Sequence, residues 1–209
     1  MSHNSYIAVG DIMHGLVNRS IECFVRDTYG QMAWEDVARC AGLEPATFES
    51  MLHYDDRLTH AVLEAISQRL NKPREAVLED VGTYLVTHSN TKAIRRLLRF
   101  SGDSFGDFLA SLDDLPERVK LAVPDLEFPR LELEERGNGQ FCLWVRGAHA
   151  EFIWVICGAM RALADDYGAL VLMEGHDPVG GTDGFIELHL AALSFAEGNA
   201  FSLGAGGAN

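Results

Sequence analysis

Long hydrophobic runs are missing from this 209-residue sequence, in which no stretch approaches the roughly 18 consecutive apolar residues of a membrane-spanning helix. Residues 1–11 also lack the basic-then-apolar order of a secretory signal peptide. These two absences predict a soluble protein of the cytoplasm with no membrane partner.

Basic residues are also scarce. Lys and Arg number 17 against 31 Asp and Glu, which gives a formal net charge of −14. Nucleic-acid binding needs clustered positive charge, and so does binding to an anionic lipid surface. The charge balance therefore argues against both kinds of partner.

The sequence has few motifs that carry chemistry. Its four cysteines, Cys23, Cys40, Cys142 and Cys157, form no C-x-x-C pair and have no histidine at zinc-ligand spacing. Phosphate-binding glycine loops and the G-x-S-x-G nucleophile motif are absent as well. We therefore predict that the protein is not an enzyme, and that Cys23, Cys40 and Cys157, which fall in apolar helical segments, are reduced core thiols.

Helical periodicity dominates the first two-thirds of the chain. Apolar residues at Leu16, Val17, Ile21, Phe24 and Val25 define the first predicted helix, which Gly30 ends as a C-cap. Further helices are predicted at 34–41, at 45–52, from a cap at Asp55 or Asp56, from Pro73, at 91–99 and at 104–113.

Strand patterns begin after Pro124. Residues 130–135 and 141–145 alternate around the turn Gly137-Asn138-Gly139, an apolar helix covers 150–166, and strands follow at 169–173 and 185–193 with a glycine-rich turn at Gly180-Gly181. The fold class is α+β: an N-terminal helical lobe (13–123) followed by a C-terminal lobe (124–195) with a small, about four-stranded antiparallel sheet and a packed helix. Residues 1–12 are predicted to be an extension and residues 196–209 a disordered tail.

Short motifs along the chain resemble one known family in their order. They are Met13-His14-Gly15, Tyr29-Gly30, Trp34-Glu35, Phe108-Leu109, Leu112-Asp113, Leu115, Pro124 and Pro129. In this order they resemble heme nitric oxide/oxygen-binding (H-NOX) domains over residues 13–195. The resemblance implies an H-NOX fold with heme b as cofactor. It also implies a sensor that signals to a separate histidine kinase or cyclase, as stand-alone bacterial H-NOX proteins do.

The resemblance also points to a missing ligand. The family's proximal histidine, whose imidazole binds the heme iron, follows a Leu-Asp-x-Leu element, and the corresponding position here is Pro116. Proline has no atom that can donate to iron. Its surroundings predict a helix start, with Asp114 as N-cap and Glu117 completing a capping box. The implied signalling helix is therefore broken here, and the implied heme site is degenerate.

A second family motif is altered in the same register. The family's Tyr-x-Ser-x-Arg motif binds the heme propionates, and counting without gaps from Pro116 places it on Val145, Gly147 and His149. The same count places the family's heme-packing proline on Pro129. Val145 and Gly147 have no side-chain hydrogen bonds to offer, and His149 pairs with a carboxylate more weakly than arginine does.

Two further positions lie near the heme in relatives. Val17 matches an apolar residue on the porphyrin face, and Trp154 falls where oxygen-binding relatives carry a distal tyrosine. The indole N–H of Trp154 could donate to a bound ligand, but core filling is the favoured interpretation for this residue.

Three functions remain open on the sequence. The first is a regulatory module whose pocket is empty, filled by side chains or occupied by a different ligand. The second is a working heme sensor of NO or O₂ with another axial ligand, for which the candidates are His149, His14, His53, His60 and His88. The third is a ligand-independent interaction module that uses the fold as a docking surface.

Overall fold

The structure, a computed structural model, describes residues 12–98, 102–147, 152–177 and 183–191. The N-terminal half contains β1 (Ile12–His14), α1 (Gly15–Tyr29), α2 (Gln31–Ala41), β2 (His53–Asp55), α3 (Asp56–Leu70), α4 (Arg74–Thr87) and α5 (Lys92–Leu98). The remainder contains α6 (Phe105–Ala110), α7 (Leu115–Ala122), β3 (Arg130–Gly137), β4 (Gln140–Arg146), α8 (Phe152–Tyr167), β5 (Val171–His176) and β6 (Gly184–Leu190). The predicted α+β fold class is confirmed.

Local capping explains where most helices begin and end. Gly30, with φ of 91°, ends α1 as predicted, and its N–H donates to the carbonyl of Arg26. The carboxylate of Asp55 accepts the N–H of Arg57 at the start of α3, and Asn71 ends that helix in the left-handed region. Ser104 and Asp107 form a complete capping box at the start of α6.

The segment 45–52 is not helical, which corrects the sequence prediction. Two of its backbone N–H groups donate to side chains, and Thr47 N and Leu52 N donate to carbonyls two and three residues back, so none of these four makes the helical bond to the carbonyl four residues back. Phe48 N donates to Glu22 Oε2 at 2.8 Å, and Glu49 N donates to the Tyr54 hydroxyl at 2.7 Å. These tertiary contacts override a local apolar period.

The structure also contains a two-stranded sheet that the sequence did not predict, and its second strand directly follows this segment. Strands β1 and β2 pair antiparallel, with His14 opposite His53. Gly15 N donates to the carbonyl of Leu52 at 2.6 Å, and a Cβ at Gly15 would collide with the carbonyl of Glu49. The glycine after His14 therefore permits this close backbone approach.

The main sheet has four antiparallel strands in the order β3-β4-β6-β5. The hairpin between β3 and β4 turns at the predicted Gly137-Asn138-Gly139, whose φ angles are all positive. Buried side chains on the inner face pack with α8 into one cluster, the sheet core, which includes Phe108, Leu131, Leu143, Val145, Ile156, Met160, Leu163, Ile186 and Leu188.

A second cluster, the helical core, joins α1 to α4. Its members include Ile21, Phe24, Trp34, Val37, Phe48, Val62, Leu63, Ile66, Val81 and Tyr84. Helices α4 and α8 connect the two cores at very short range, since a Cβ at Gly82 would collide with the carbonyl of Val155, and one at Gly158 with the carbonyl of Glu79. Only glycine allows this approach at both positions.

The helical structure is interrupted between α6 and α7, close to Pro116 as predicted. A 3-10 turn, Leu112–Asp114, leads directly into α7, where Pro116 occupies the first turn. The predicted capping box is wrong, because Asp114 already has helical backbone angles and its side chain makes no capping bond.

One cysteine prediction is also wrong. Cys40 is exposed, because the buried stripe of α2 contains Trp34, Val37 and Ala38 and leaves position 40 on the solvent side. Cys157 is buried and Cys23 half-buried, and both are free thiols.

Several predictions fall outside the described residues: the turn at 180–181, the tail at 196–209 and the extension over 1–12 except for Ile12, which lies in β1. Within the described ranges, no helix combines the length and apolar character needed to cross a bilayer.

Candidate functional site

A cavity of about 440 Å³ lies where the two cores meet. Helices α1, α3, α4, α5, α6, α7 and α8 all contribute to its walls. The lining side chains are apolar except for the hydroxyls of Ser20 and Thr59. The lining residues include Met13, Leu16, Val17, Ile21, Leu63, Leu78, Val81, Leu85, Ile94, Leu97, Leu112, Leu115, Val119, Leu126, Phe128, Leu131, Val155, Ile156, Ala159, Met160 and Leu163. The size is within the range of roughly 300–1,000 Å³ typical of small-molecule sites.

Both hydroxyls in the lining already donate. Ser20 Oγ donates to the carbonyl of Leu16 at 2.8 Å, within its own helix. Thr59 Oγ1 donates to Oδ1 of the buried Asn18, also at 2.8 Å. The cavity surface therefore offers an occupant mainly hydrophobic contact.

The structure places the predicted site residues at different distances from this cavity. Val17 lines it directly. Pro116 is half-buried on α7 between Leu115 and Val119, which are lining residues, although Pro116 itself is not. Pro129 is buried directly after the lining residue Phe128.

The positions expected to hold propionates are not part of the described lining. Val145 is buried in the sheet core, and Gly147 is exposed with φ of 110°. His149 lies outside the described residues. The structure therefore places neither Val145 nor Gly147 in the described lining of the cavity.

Trp154 uses its indole N–H elsewhere. Its Nε1 donates to Asp177 Oδ1 at 2.8 Å, and its ring packs against Gly175, where a Cβ would collide with it. The half-buried ring contacts both cores but is not among the cavity's lining residues.

None of the described histidines lines the cavity. His53 and His60 are exposed, and His88 is half-buried and stacks on Tyr84 with ring centroids 4.8 Å apart. His14 is 4% exposed and serves as the N-cap of α1, where its Nδ1 accepts the N–H of Leu16 at 3.1 Å.

No described cysteine lines the cavity. Burial raises the pKa of the Cys157 thiol to about 11, as expected of a thiol in an apolar core. Across the described residues, no group of three or more His, Cys, Asp or Glu is placed to hold a metal ion.

Sequence reasoning missed the polar side chains beside the cavity. Asn18 is 1% exposed and Glu22 is 0% exposed, both on α1. Glu22 Oε1 accepts from Arg19 at 2.5 Å and from Arg26 at 2.8 Å, and Oε2 accepts from Phe48 N. The available sequence signal is their spacing, because Asn18 and Glu22 are four residues apart and so share the side of α1 that also carries the buried Ile21 and Val25.

The fold and the cavity together define an α+β domain built around a buried apolar site. The sequence matches the family model described as Haem-NO-binding over residues 14–174, more than half of the chain. The chain belongs to this family, and the H-NOX resemblance predicted from the motifs is confirmed.

Curated relatives include larger proteins. Soluble guanylate cyclase gcy-31 of Caenorhabditis elegans is 23% identical over 154 residues, which cover 74% of this chain and 22% of the relative. Soluble guanylate cyclase 89Db of Drosophila melanogaster is 23% identical over 181 residues, which cover 84% of this chain and 27% of the relative. The chain thus spans about a quarter of the length of these relatives.

Solved structures share the fold. An Fe(II) unliganded H-NOX protein from K. algicida superposes with a TM-score of 0.74 at 15% identity, over 88% of this chain and 100% of that chain. An H-NOX protein from S. oneidensis in the Fe(II)NO ligation state gives a TM-score of 0.70 at 17% identity, over 86% of this chain and 100% of that one. At such identities the likeness shows the fold alone.

The described lining does not fit heme held in the way that the motifs imply. Heme iron in proteins is held by His, Cys thiolate, Met or Tyr. Among the described lining residues, only the thioethers of Met13 and Met160 belong to this set, and no basic side chain is present to pair with propionates. Neither an iron–imidazole bond nor a propionate clamp can be built from these residues.

Proposed function

We propose that the protein is a sensor or regulatory domain of the H-NOX type whose signal does not pass through an iron–histidine bond. It responds to occupancy of the apolar cavity and signals to a separate protein of histidine-kinase or cyclase type. The observation that carries the proposal is the cavity of about 440 Å³, whose described lining contains no imidazole.

The size and chemistry of the cavity support a small-molecule occupant. Its volume of about 440 Å³ lies within the range of roughly 300–1,000 Å³ of small-molecule sites, and its described lining is mainly apolar. Because this lining offers no axial imidazole, the occupant that we propose is a ligand other than histidine-bound heme.

One wall of the cavity is formed by α7, the helix through which we propose that binding of a ligand is signalled to the partner. Leu115 and Val119 of α7 face the cavity, whereas Leu121 on the same helix is 85% exposed. A helix of eight residues, Leu115–Ala122, thus contacts both the occupant and the solvent. Its displacement is the proposed signal to the partner, and the cytoplasm is the proposed location.

The test is the visible spectrum of the full chain, expressed with heme supply and passed through gel filtration. We expect no Soret band that tracks the protein at one heme per chain. Stoichiometric heme that survives gel filtration would overturn the proposal and favour a heme sensor with a different ligand. In that case, single His→Ala variants, including His14→Ala and His149→Ala, would locate the ligand by a shift of the Soret maximum.

A second measurement addresses the ligand-independent alternative. Ala159 lines the cavity on α8, and Ala159→Leu occupies part of the space. We expect this variant to change the affinity of the chain for its signalling partner, measured by titration with the purified partner protein. Equal affinity of the variant and the wild type would favour a docking module that ignores the cavity.

A further inference from the structure

We propose that the cavity takes a neutral hydrocarbon, of roughly three rings or an aliphatic molecule of similar size, that makes no hydrogen bond to the described walls. The inference rests on the proposed function, because it names the chemical class of the ligand for the same cavity. It is carried by the described residues that line the cavity, whose side chains have no charge and no free hydrogen-bond donor.

Side-chain donors are the first groups that the described lining lacks. Among the described lining residues, only Ser20 and Thr59 have polar side chains. The hydroxyl of Ser20 donates its proton to the carbonyl of Leu16, and that of Thr59 donates to Oδ1 of Asn18. A carbonyl or ether oxygen on a ligand would therefore lose its bonds to water and find no side-chain donor in these walls, at a cost in affinity.

Acceptors in the described lining are few. The thioether sulfurs of Met13 and Met160 are weak acceptors, and the two hydroxyl oxygens keep lone pairs. A water molecule needs about two to four polar partners to be held in a cavity, and apolar cavities without such partners stay dry. A hydrocarbon is therefore the kind of occupant that loses least by leaving water for these walls.

The volume of the cavity sets the size of the hydrocarbon. An engineered apolar cavity of about 150 Å³ in another protein binds one benzene ring. At about 440 Å³ the cavity here is about three times as large. It therefore has room for roughly three rings, or for a hydrocarbon chain of similar volume.

The ligand is neutral because no described lining side chain carries a charge. Helix α5 is basic, but its charged residues are not among the lining residues. Lys92 and Arg96 are exposed, and Arg95 pairs with Asp166 at 2.6 Å. An ionised carboxylate inside the cavity would therefore be buried without a counter-charge in these walls, at a high cost.

The experiment compares three molecules that share one tricyclic skeleton: fluorene, 9-fluorenone and fluorene-9-carboxylate. Equilibrium dialysis against the full chain at pH 7 measures the affinity of each molecule directly. Fluorenone differs from fluorene by one carbonyl oxygen, so it tests the missing donor. An unpaired buried oxygen weakens binding by about ten-fold or more, and we therefore expect fluorene to bind at least about ten-fold more tightly than fluorenone. We expect the carboxylate to bind more weakly than either.

Two variants of α8 test whether the bound fluorene lies in the cavity. Ala159 lines the cavity, and Ala159→Leu fills part of its space, so we expect this variant to bind fluorene at least about ten-fold more weakly. Ala164→Leu is the matched control, because Ala164 is buried on the same helix but is not among the lining residues. We expect it to bind fluorene as the wild type does. Equal affinity of the two variants for fluorene would place the molecule elsewhere and overturn the inference.

The outcomes separate this inference from the proposed function. Binding of fluorenone or the carboxylate as tightly as fluorene, or the absence of saturable fluorene binding, overturns the inference and leaves a cavity sensor with another ligand intact. Stoichiometric heme in the visible spectrum overturns the proposed function itself. Because the wild-type comparison needs no variant, misfolding of a variant cannot hide either result.

Discussion

Two regions of helix α1 bury their polar side chains in opposite ways. At the middle of the helix, Glu22 is 0% exposed and its carboxylate accepts from two arginines, a threonine and the N–H of Phe48. At its N-terminus, the N-cap His14 and the helical residue Asn18 each have a buried nitrogen that lacks a partner among the described residues. The buried polar group at the middle is fully paired, whereas those at the N-terminus are not.

This difference teaches how to separate structural from functional polar groups on one helix. A satisfied buried network stabilises the fold, and breaking it leaves several groups unpaired at once. An unsatisfied buried group destabilises the fold, so replacing it by an apolar side chain should relieve a cost. Apolar or neutral substitutions in the two regions of α1 should therefore change the free energy of unfolding with opposite signs.

The largest effect is expected at Glu22. Glu22→Gln removes the charge that pairs with Arg19 and Arg26, and breaking a buried ion pair costs about 3–5 kcal/mol. Because both arginines are about one-third exposed, we expect a loss at the lower end, about 3 kcal/mol, in the free energy of unfolding measured with urea. Asp36→Asn is the control, since Asp36 pairs with Arg39 and Arg69 at the surface and should lose less than about 1 kcal/mol. Similar losses for the two variants would contradict the structural role of Glu22.

The next largest effect tests whether the cavity beside α1 is free space, by comparing two alanines of α8. Ala159 lines the cavity, whereas Ala164 on the same helix is buried in the sheet core and is not among the cavity's lining residues. Ala164→Leu should overpack the core and lower the free energy of unfolding by about 1–3 kcal/mol. It should not change the affinity for the neutral fluorescent probe N-phenyl-1-naphthylamine. Ala159→Leu should leave the unfolding free energy unchanged or higher, and should weaken N-phenyl-1-naphthylamine binding by at least about ten-fold through lost volume. A stability loss in Ala159→Leu equal to that in Ala164→Leu would mean that the cavity is already filled by side chains.

A smaller effect of opposite sign is expected at Asn18. The double variant Asn18→Leu with Thr59→Val removes a buried unpaired N–H and its bonded neighbour together. Without ligand, the unfolding free energy should rise by about 1 kcal/mol in urea denaturation. Asn18→Leu alone should gain less, because the Thr59 hydroxyl then loses its acceptor. A loss of stability in the double variant would contradict the proposed difference between the N-terminus and the middle of α1.

The smallest effect is the pH dependence contributed by His14. Its pKa is lowered by burial and by His53, with Asp125 opposing, so the folded protein binds fewer protons here than the unfolded chain does. Stability therefore falls as the pH drops below 6.5, and the loss is complete below the lowered pKa. Urea unfolding of His14→Asn between pH 7 and pH 5 should show a shallower decline than the wild type, and an equally steep decline would count against this assignment.

Elements with local signals could be predicted from the sequence. The apolar stripe of α1, the caps at Gly30 and Asp55 and the hairpin at residues 137–139 all follow from neighbouring residues. The strand pair β1 and β2 could not be predicted, because three-residue strands carry no measurable period. The segment 45–52 was predicted wrongly in part because the N–H of Phe48 bonds to Glu22, which lies 26 residues away and outside any local window.

The candidate site was predictable only in part. The resemblance gave Val17 and Pro116 heme-pocket positions, and in the structure Val17 lines the cavity and Pro116 lies between two lining residues of α7. The volume could not be predicted, because it depends on how side chains from seven helices pack. A lining residue such as Leu63 cannot be distinguished in sequence from ordinary core. The sequence offered His14 only as an alternative heme ligand, and only the structure shows that nitrogens of His14 and Asn18 lack partners among the described residues.

The glycine contact between α4 and α8 has a mechanical consequence. Both helices form walls of the cavity, and at Gly82 and Gly158 their backbones lie too close together to admit a side chain. If the cavity takes a ligand as proposed, we expect the wall formed by α4 and α8 to yield least. We expect any displacement to occur at the short helices α5 and α7, of seven and eight residues.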